Sequence, residues 1–117
     1  MNLIAFVGPD KENLGQVSAL INRMDCEKII LLKDKSAPNL QTNEKCVTVE
    51  IDSTKTLSEL KAQIQEKVKK EIGNEFEVAL SIASGTGKDH MAIISALLAI
   101  PVGIKLVAFT KNGIEFI

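Results

Sequence analysis

The chain has 117 residues, room for one domain around one core. Hydrophobic residues make up 45% and charged residues 25%, the composition of an ordinary globular protein. Four Phe with neither Tyr nor Trp demand an aliphatic core and argue against a single-strand platform that stacks bases on aromatic rings. A formal net charge of −1 gives no global field for a polyanion such as duplex DNA, so only a small anion held by a local loop stays open.

Cys26 and Cys46 have neither CxxC spacing nor a neighbouring histidine, so they read as reduced thiols rather than as a metal site. No metal and no cofactor is expected. The apolar run in "MNLIAFVGPD" is too short for a signal peptide and lacks a basic flank. No stretch approaches the ~20 apolar residues of a membrane span. The expectation is a cytoplasmic protein without membrane contact.

Leu3 to Val7, "LIAFV", is a short apolar run closed by Gly8-Pro9 and reads as a buried strand. Asp10 is placed to cap the next helix. Leu14, Val17, Leu20, Ile21 and Met24 recur at helical spacing, which predicts an amphipathic helix over Glu12 to Met24. Gly15 weakens that helix by roughly 1 kcal/mol relative to Ala and leaves room for close packing. "KIILLK", Lys28 to Lys33, is a second strand. "DKSAPNLQTNEK" is polar and contains Pro38, so it is a loop or loose crossover without a clear helix. "CVTVEI", Cys46 to Ile51, alternates and is β-branched, hence a third strand.

Asp52-Ser53-Thr54 offers cap residues before "KTLSELKAQIQEKVKKEI". There Leu57, Leu60, Ile64, Val68 and Ile72 form one stripe, and Lys and Glu fill a solvated face. Gly73-Asn74 is a stop signal. "FEVALSIA", Phe76 to Ala83, is a fourth strand. Met91 to Ile100 is apolar nearly all round, so that helix is expected to be buried on several sides, one of them by a partner subunit. Pro101 ends it. "KLVAFT" and "GIEFI" flank an Asn-Gly turn and predict an antiparallel hairpin.

The order β-α-β-β-α-β-α-β-β predicts a single domain over residues 1–117. Its fold class is α/β, a Rossmann-like three-layer sandwich whose six-stranded sheet is mostly parallel and ends in an antiparallel hairpin. In such sheets ligands bind outside the carboxyl ends of the strands where the strand order reverses. Two loops sit at such ends: Gly8-Pro9-Asp10 after the first strand, and Ser84 to His90 after the fourth. In the doubly wound order these strands are neighbours, so the loops should face each other.

The second loop reads Ser84-Gly85-Thr86-Gly87-Lys88. Gly85 and Gly87 permit a tight turn, Ser84 and Thr86 bring hydroxyls, and Lys88 brings a mobile cation. Backbone amides leading into a helix add an anion site. A nucleotide-hydrolase P-loop requires Gly where Ile82 stands and Ser or Thr where Asp89 stands, so that motif fails twice. The dinucleotide fingerprint begins at Gly85-x-Gly87 but meets His90 at its third glycine, in the wrong βα unit. A plain reading also exists: a strand-to-helix turn with Asp89 favoured by the helix dipole.

A strand, a loop of the type [ST]-G-G-T-K-x-M and an apolar helix resemble the CRISPR-associated Rossmann-fold (CARF) domain. Ser84, Gly85, Lys88 and Met91 fit that pattern. The departures are one extra residue between Lys88 and Met91, and Thr86-Gly87 where the family often has Gly-Thr. "FVGPDKENL" resembles the family's first ligand loop in position, and the likeness extends over essentially the whole chain.

The resemblance implies a homodimer that binds a cyclic oligoadenylate in a twofold-symmetric pocket, as a sensor in a CRISPR-linked antiviral response. Gly8, Pro9, Asp10, Ser84, Gly85, Thr86, Gly87, Lys88 and His90 are then the ligand-binding candidates. Many family members carry an attached effector or transcription-factor domain, and some are metal-independent ring nucleases. For ring cleavage the candidates are Ser84 and Thr86 for orientation and Lys88 for developing charge. His90, the single histidine, is either a general acid or base or a helix-start residue. The alternative is an enzyme or binding protein for another nucleotide or phosphorylated metabolite using the same Ser84 to Lys88 loop. A purely structural dimerisation module is the third reading.

Overall fold

The computed structural model describes all 117 residues. Its strands are β1 (Asn2–Val7), β2 (Ile29–Asp34), β3 (Cys46–Ile51), β4 (Glu77–Ser81), β5 (Gly103–Thr110) and β6 (Gly113–Phe116). Its helices are α1 (Leu14–Arg23), α2 (Leu57–Ile72) and α3 (Gly87–Ala99). A single turn of 3-10 helix over Lys11–Asn13 leads into α1. All six strands join in the order β3-β2-β1-β4-β5-β6. Every pairing is parallel except β5 with β6. The predicted fold class and the adjacency of β1 and β4 are therefore found.

The parallel strands are apolar on both faces because both faces are covered. Alternate residues divide between two cores. Ile4, Phe6, Ile30, Leu32, Val78 and Leu80 face α2 and α3. Leu3, Ala5, Val7, Ile29, Leu31 and Ala79 face the side of α1. Helices α2 and α3 pack against each other, whereas α1 lies alone over β1 and β5.

The two longer helices begin with the same device. Thr56 accepts from the Glu59 amide, and the Glu59 side chain accepts from the Thr56 amide. Thr86 and Asp89 repeat the reciprocal pair at α3. Each box satisfies otherwise orphaned N–H groups. These caps correct two expectations: α2 is capped by Thr56 and not by residues 52–54, and α3 starts at Gly87 rather than Met91. Gly15 has nothing within 4 Å of where a Cβ would lie, so it serves no close packing.

Residues 35–45, between β2 and β3, contain no helix. The crossover is anchored at both ends instead. Asp34 accepts from the Ser36 amide (3.0 Å) and hydroxyl and from the Ser53 amide (2.8 Å). Asn43 holds the far end by accepting from the Lys45 amide at 2.9 Å. Burial opposes ionisation of Asp34, but the hydrogen bonds from Ser36 and Ser53 outweigh it and bring its pKa down to about 2.

Helix α3 is only partly covered. Ala92, Ile93, Ala96 and Leu97 are buried, while Met91 is 59% and Leu98 67% exposed. No helix is long and apolar enough to cross a membrane.

Candidate functional site

The loops after β1 and β4 meet at the point where the strand order reverses, and they meet through glycine. Gly85 adopts φ +102°, a left-handed conformation that residues with a Cβ avoid. A Cβ at Gly85 would lie 2.5 Å from the Phe6 ring, and one at Gly8 would lie 3.3 Å from the Gly85 Cα. Both turns therefore rest on the fully buried Phe6, with their backbones in close approach.

Hydrogen bonds lock this contact. The Gly8 amide donates to Ser84 Oγ at 2.9 Å. Ser84 Oγ donates in turn to Asp10 Oδ1 at 2.7 Å, and the Gly85 amide donates to the same oxygen at 3.1 Å. Asn13 Nδ2 donates to Asp10 Oδ2 at 2.7 Å. Burial opposes ionisation of Asp10, yet the bonds from Asn13, Ser84 and Gly85 together hold its carboxyl below the ordinary aspartate value. A carboxylate thus sits between the two loops and accepts donors from both.

His90 Nε2 lies 2.8 Å from the Ser84 carbonyl oxygen. A carbonyl only accepts, so Nε2 carries the proton and donates. His90 thereby fixes the turn from the first coil of α3. At the helix start, the Thr86 amide donates to Asp89 Oδ2 at 2.9 Å. Lys88 reaches away from the loop: its Nζ donates to the carbonyl oxygens of Ser53 (3.0 Å) and Lys55. The Ser53 peptide therefore joins Asp34 through its N–H to Lys88 through its C=O.

The nine candidate residues fall into two groups. Gly8, Asp10, Ser84, Gly85 and His90 form the joint itself. Ser84 is fully buried with its hydroxyl both accepting and donating. Pro9, Thr86, Gly87 and Lys88 are exposed on the rim. The amides of Gly85 and Thr86 are engaged by the chain's own carboxylates, Asp10 and Asp89. The Thr86 hydroxyl donates to Asp89 Oδ2 at 3.0 Å and the Lys88 ammonium is taken by the two carbonyls, so the donors left without a partner at the rim are the Gly87 and Lys88 amides in the first turn of α3.

The crest forms no enclosed cavity within one chain. The molecule's single cavity lies under residues 39–42 on the α1 side of the sheet. Groups of three or more His, Cys, Asp or Glu placed to hold a metal ion are absent. Sequence reasoning found both loops but missed Asn13, which supports Asp10, and Ser53 and Lys55, which hold Lys88. No protein-family model matches the chain, and no curated protein matches it in sequence.

Proposed function

We propose that this chain is a ligand-sensing domain of the CARF type, in which two copies place their β1 and β4 crest loops around one cyclic oligoadenylate. The observation that carries the reading is the joint of Gly8, Asp10, Ser84 and Gly85 at the strand-order reversal, the position where ligands of open α/β sheets bind. Two further features support it. The crest of one chain is an open surface, whereas small-molecule sites are concave, so a second copy related by a twofold axis would supply the missing wall. The uncovered Met91 and Leu98 on α3 provide apolar area for such a contact.

In this reading the Gly87 and Lys88 amides at the α3 N-terminus meet the ring's phosphates, the Lys88 ammonium leaves the Ser53 and Lys55 carbonyls to join them, and Pro9 borders the bases. Ser84, Asp10 and His90 hold the turn in shape. The arrangement favours sensing over ring cleavage, because the Ser84 hydroxyl is buried and already donates to Asp10. A role in a CRISPR-linked antiviral response follows from the ligand class.

Calorimetry with cyclic tetra-adenylate and cyclic hexa-adenylate, alongside light scattering, tests the proposal. One ring per two chains is expected, with binding lost in Lys88→Ala at unchanged thermal stability. A folded protein that binds neither ring overturns the reading. A bound ring that is cleaved on incubation replaces the sensor by a ring nuclease.

A further inference from the structure

The cavity on the α1 side of the sheet arises from topology. Strands β2 and β3 are parallel, yet the chain returns between them without a helix. Helix α1 sits toward β5 on that face, and residues 39–42 arch over the space a crossover helix would fill. The result is a solvent-open pocket of about 230 Å³, with Asn39, Thr42 and Thr48 exposed at its edge. At about 30 Å³ per water, that is room for roughly eight waters, the size of a small metabolite rather than a dinucleotide.

Strand register sets its chemistry. Val7 pairs with Lys33, and Leu31 pairs with Thr48, so these four side chains share the floor. Asn39, Leu40 and Thr42 form the roof. No carboxylate lines the space. Lys33 is half-buried there. The chain's ion pairs use Lys28, Lys35, Lys70 and Lys105, and the lysine side chains that donate hydrogen bonds are Lys28, Lys67 and Lys88. Lys33 does neither. Its register partner Glu50 is exposed on the outermost strand and is not in ion-pair contact with it.

We infer that this cavity binds a small organic monocarboxylate, whose one negative charge meets Lys33, whose oxygens take donors from Thr42, Thr48 or Asn39, and whose apolar body rests on Val7, Leu31 and Leu40. One cation matches one anionic charge; a phosphate dianion would be left half-compensated on a floor that is half aliphatic. The inference is independent of the crest ligand, since none of these residues belongs to the β1–β4 joint.

Titration of the isotopically labelled full chain by amide NMR tests it, with benzoate and hexanoate as probes, benzamide as the uncharged analogue and inorganic phosphate as the second anion. Both carboxylates are expected to give saturable shifts at Val7, Leu31, Lys33, Leu40, Thr42 and Thr48 at roughly millimolar concentration, the strength open to ligands of this size. Benzamide and phosphate should leave those amides unmoved. Lys33→Met should weaken binding at least about tenfold, the size of one charge-assisted contact, and Glu50→Gln should preserve or tighten it. Should Lys33→Met lose its dispersed spectrum, Thr48→Val takes its place, with a loss of at least about twofold. No saturable shift from either carboxylate overturns the inference. So does an equal response to benzamide or phosphate, or a response unchanged by the variants.

Discussion

The two regions that flank the carboxyl end of β1 are built on opposite plans. At the β1–β4 crest, polar groups are tied together by the chain itself: Asp10 accepts from Asn13, Ser84 and Gly85, and Lys88 is held by two carbonyls. Under the β2–β3 crossover, Lys33 faces a cavity and ties to nothing. Both regions stand at the carboxyl side of the same sheet. The crest is close-packed because two glycine turns and an aromatic ring leave no slack, whereas the crossover is loose because no helix fills its layer. A preorganised surface and an open pocket follow from the same sheet, according to what covers each strand pair.

The sharpest break in this comparison is Gly85→Ala. The new Cβ meets the Phe6 ring at 2.5 Å, and φ +102° is strained for any L side chain. Phe6 is fully buried and cannot yield freely. A loss of at least about 3 kcal/mol in chemical denaturation is expected, combining overpacking and backbone strain. Asn39→Ala, on the roof of the cavity, should change stability by less than about 0.5 kcal/mol, as exposed positions do. Equal costs at the two positions would remove the contrast.

Asp10→Ala comes next. It strands the Ser84 hydroxyl, the Gly85 amide and the Asn13 amide group together. Denaturation should show a loss of about 1–3 kcal/mol, the penalty of leaving buried donors unpaired. The Gly8 and Gly85 amides should exchange faster with solvent, while the amides of β3 keep their protection.

Much of this contrast was legible in the sequence. The run "LIAFV" and the centre of "KIILLK" are apolar without interruption, as a sheet covered on both faces requires, and the doubly wound strand order that follows placed β1 beside β4. The polar, Pro-containing segment after β2 correctly announced a crossover without a helix. Thr56-x-x-Glu59 and Thr86-x-x-Asp89 were readable as capping boxes and would have set the starts of α2 and α3 correctly. The Asp10–Ser84 bond was not readable. It links residues 74 positions apart, and no local pattern distinguishes an aspartate that caps the next turn from one that reaches across the sheet. The cavity was equally hidden, because it depends on how far α1 shifts toward β5.

The pH dependence of the crossover is a smaller effect. Asp34 has its pKa lowered from 3.8 to about 2. A carboxyl depressed by folding contributes stability above its unfolded value and loses it as pH falls through the folded one. The contribution should therefore be complete above about pH 5 and fall away progressively to about pH 1, amounting to roughly 1–2 kcal/mol. Asp34→Asn should flatten the stability curve across that window. A curve of unchanged slope would show that Asp34 does not anchor the crossover.

The smallest expected change is a gain, and it tests how fully the crest side is satisfied. Ser81 ends β4, three residues before Ser84, and is fully buried beside Ala5 with no hydrogen-bond partner for its hydroxyl. Ser84, by contrast, uses its hydroxyl twice. Removing an unpaired buried hydroxyl relieves a desolvation cost and opens little space, so Ser81→Ala should stabilise by up to about 1 kcal/mol in thermal denaturation. The same change at Ser84 should destabilise, because the Gly8 amide and the Asp10 carboxylate each lose a partner. If both substitutions destabilise alike, the polar network extends deeper into the sheet than the crest joint, and Ser81 is part of it.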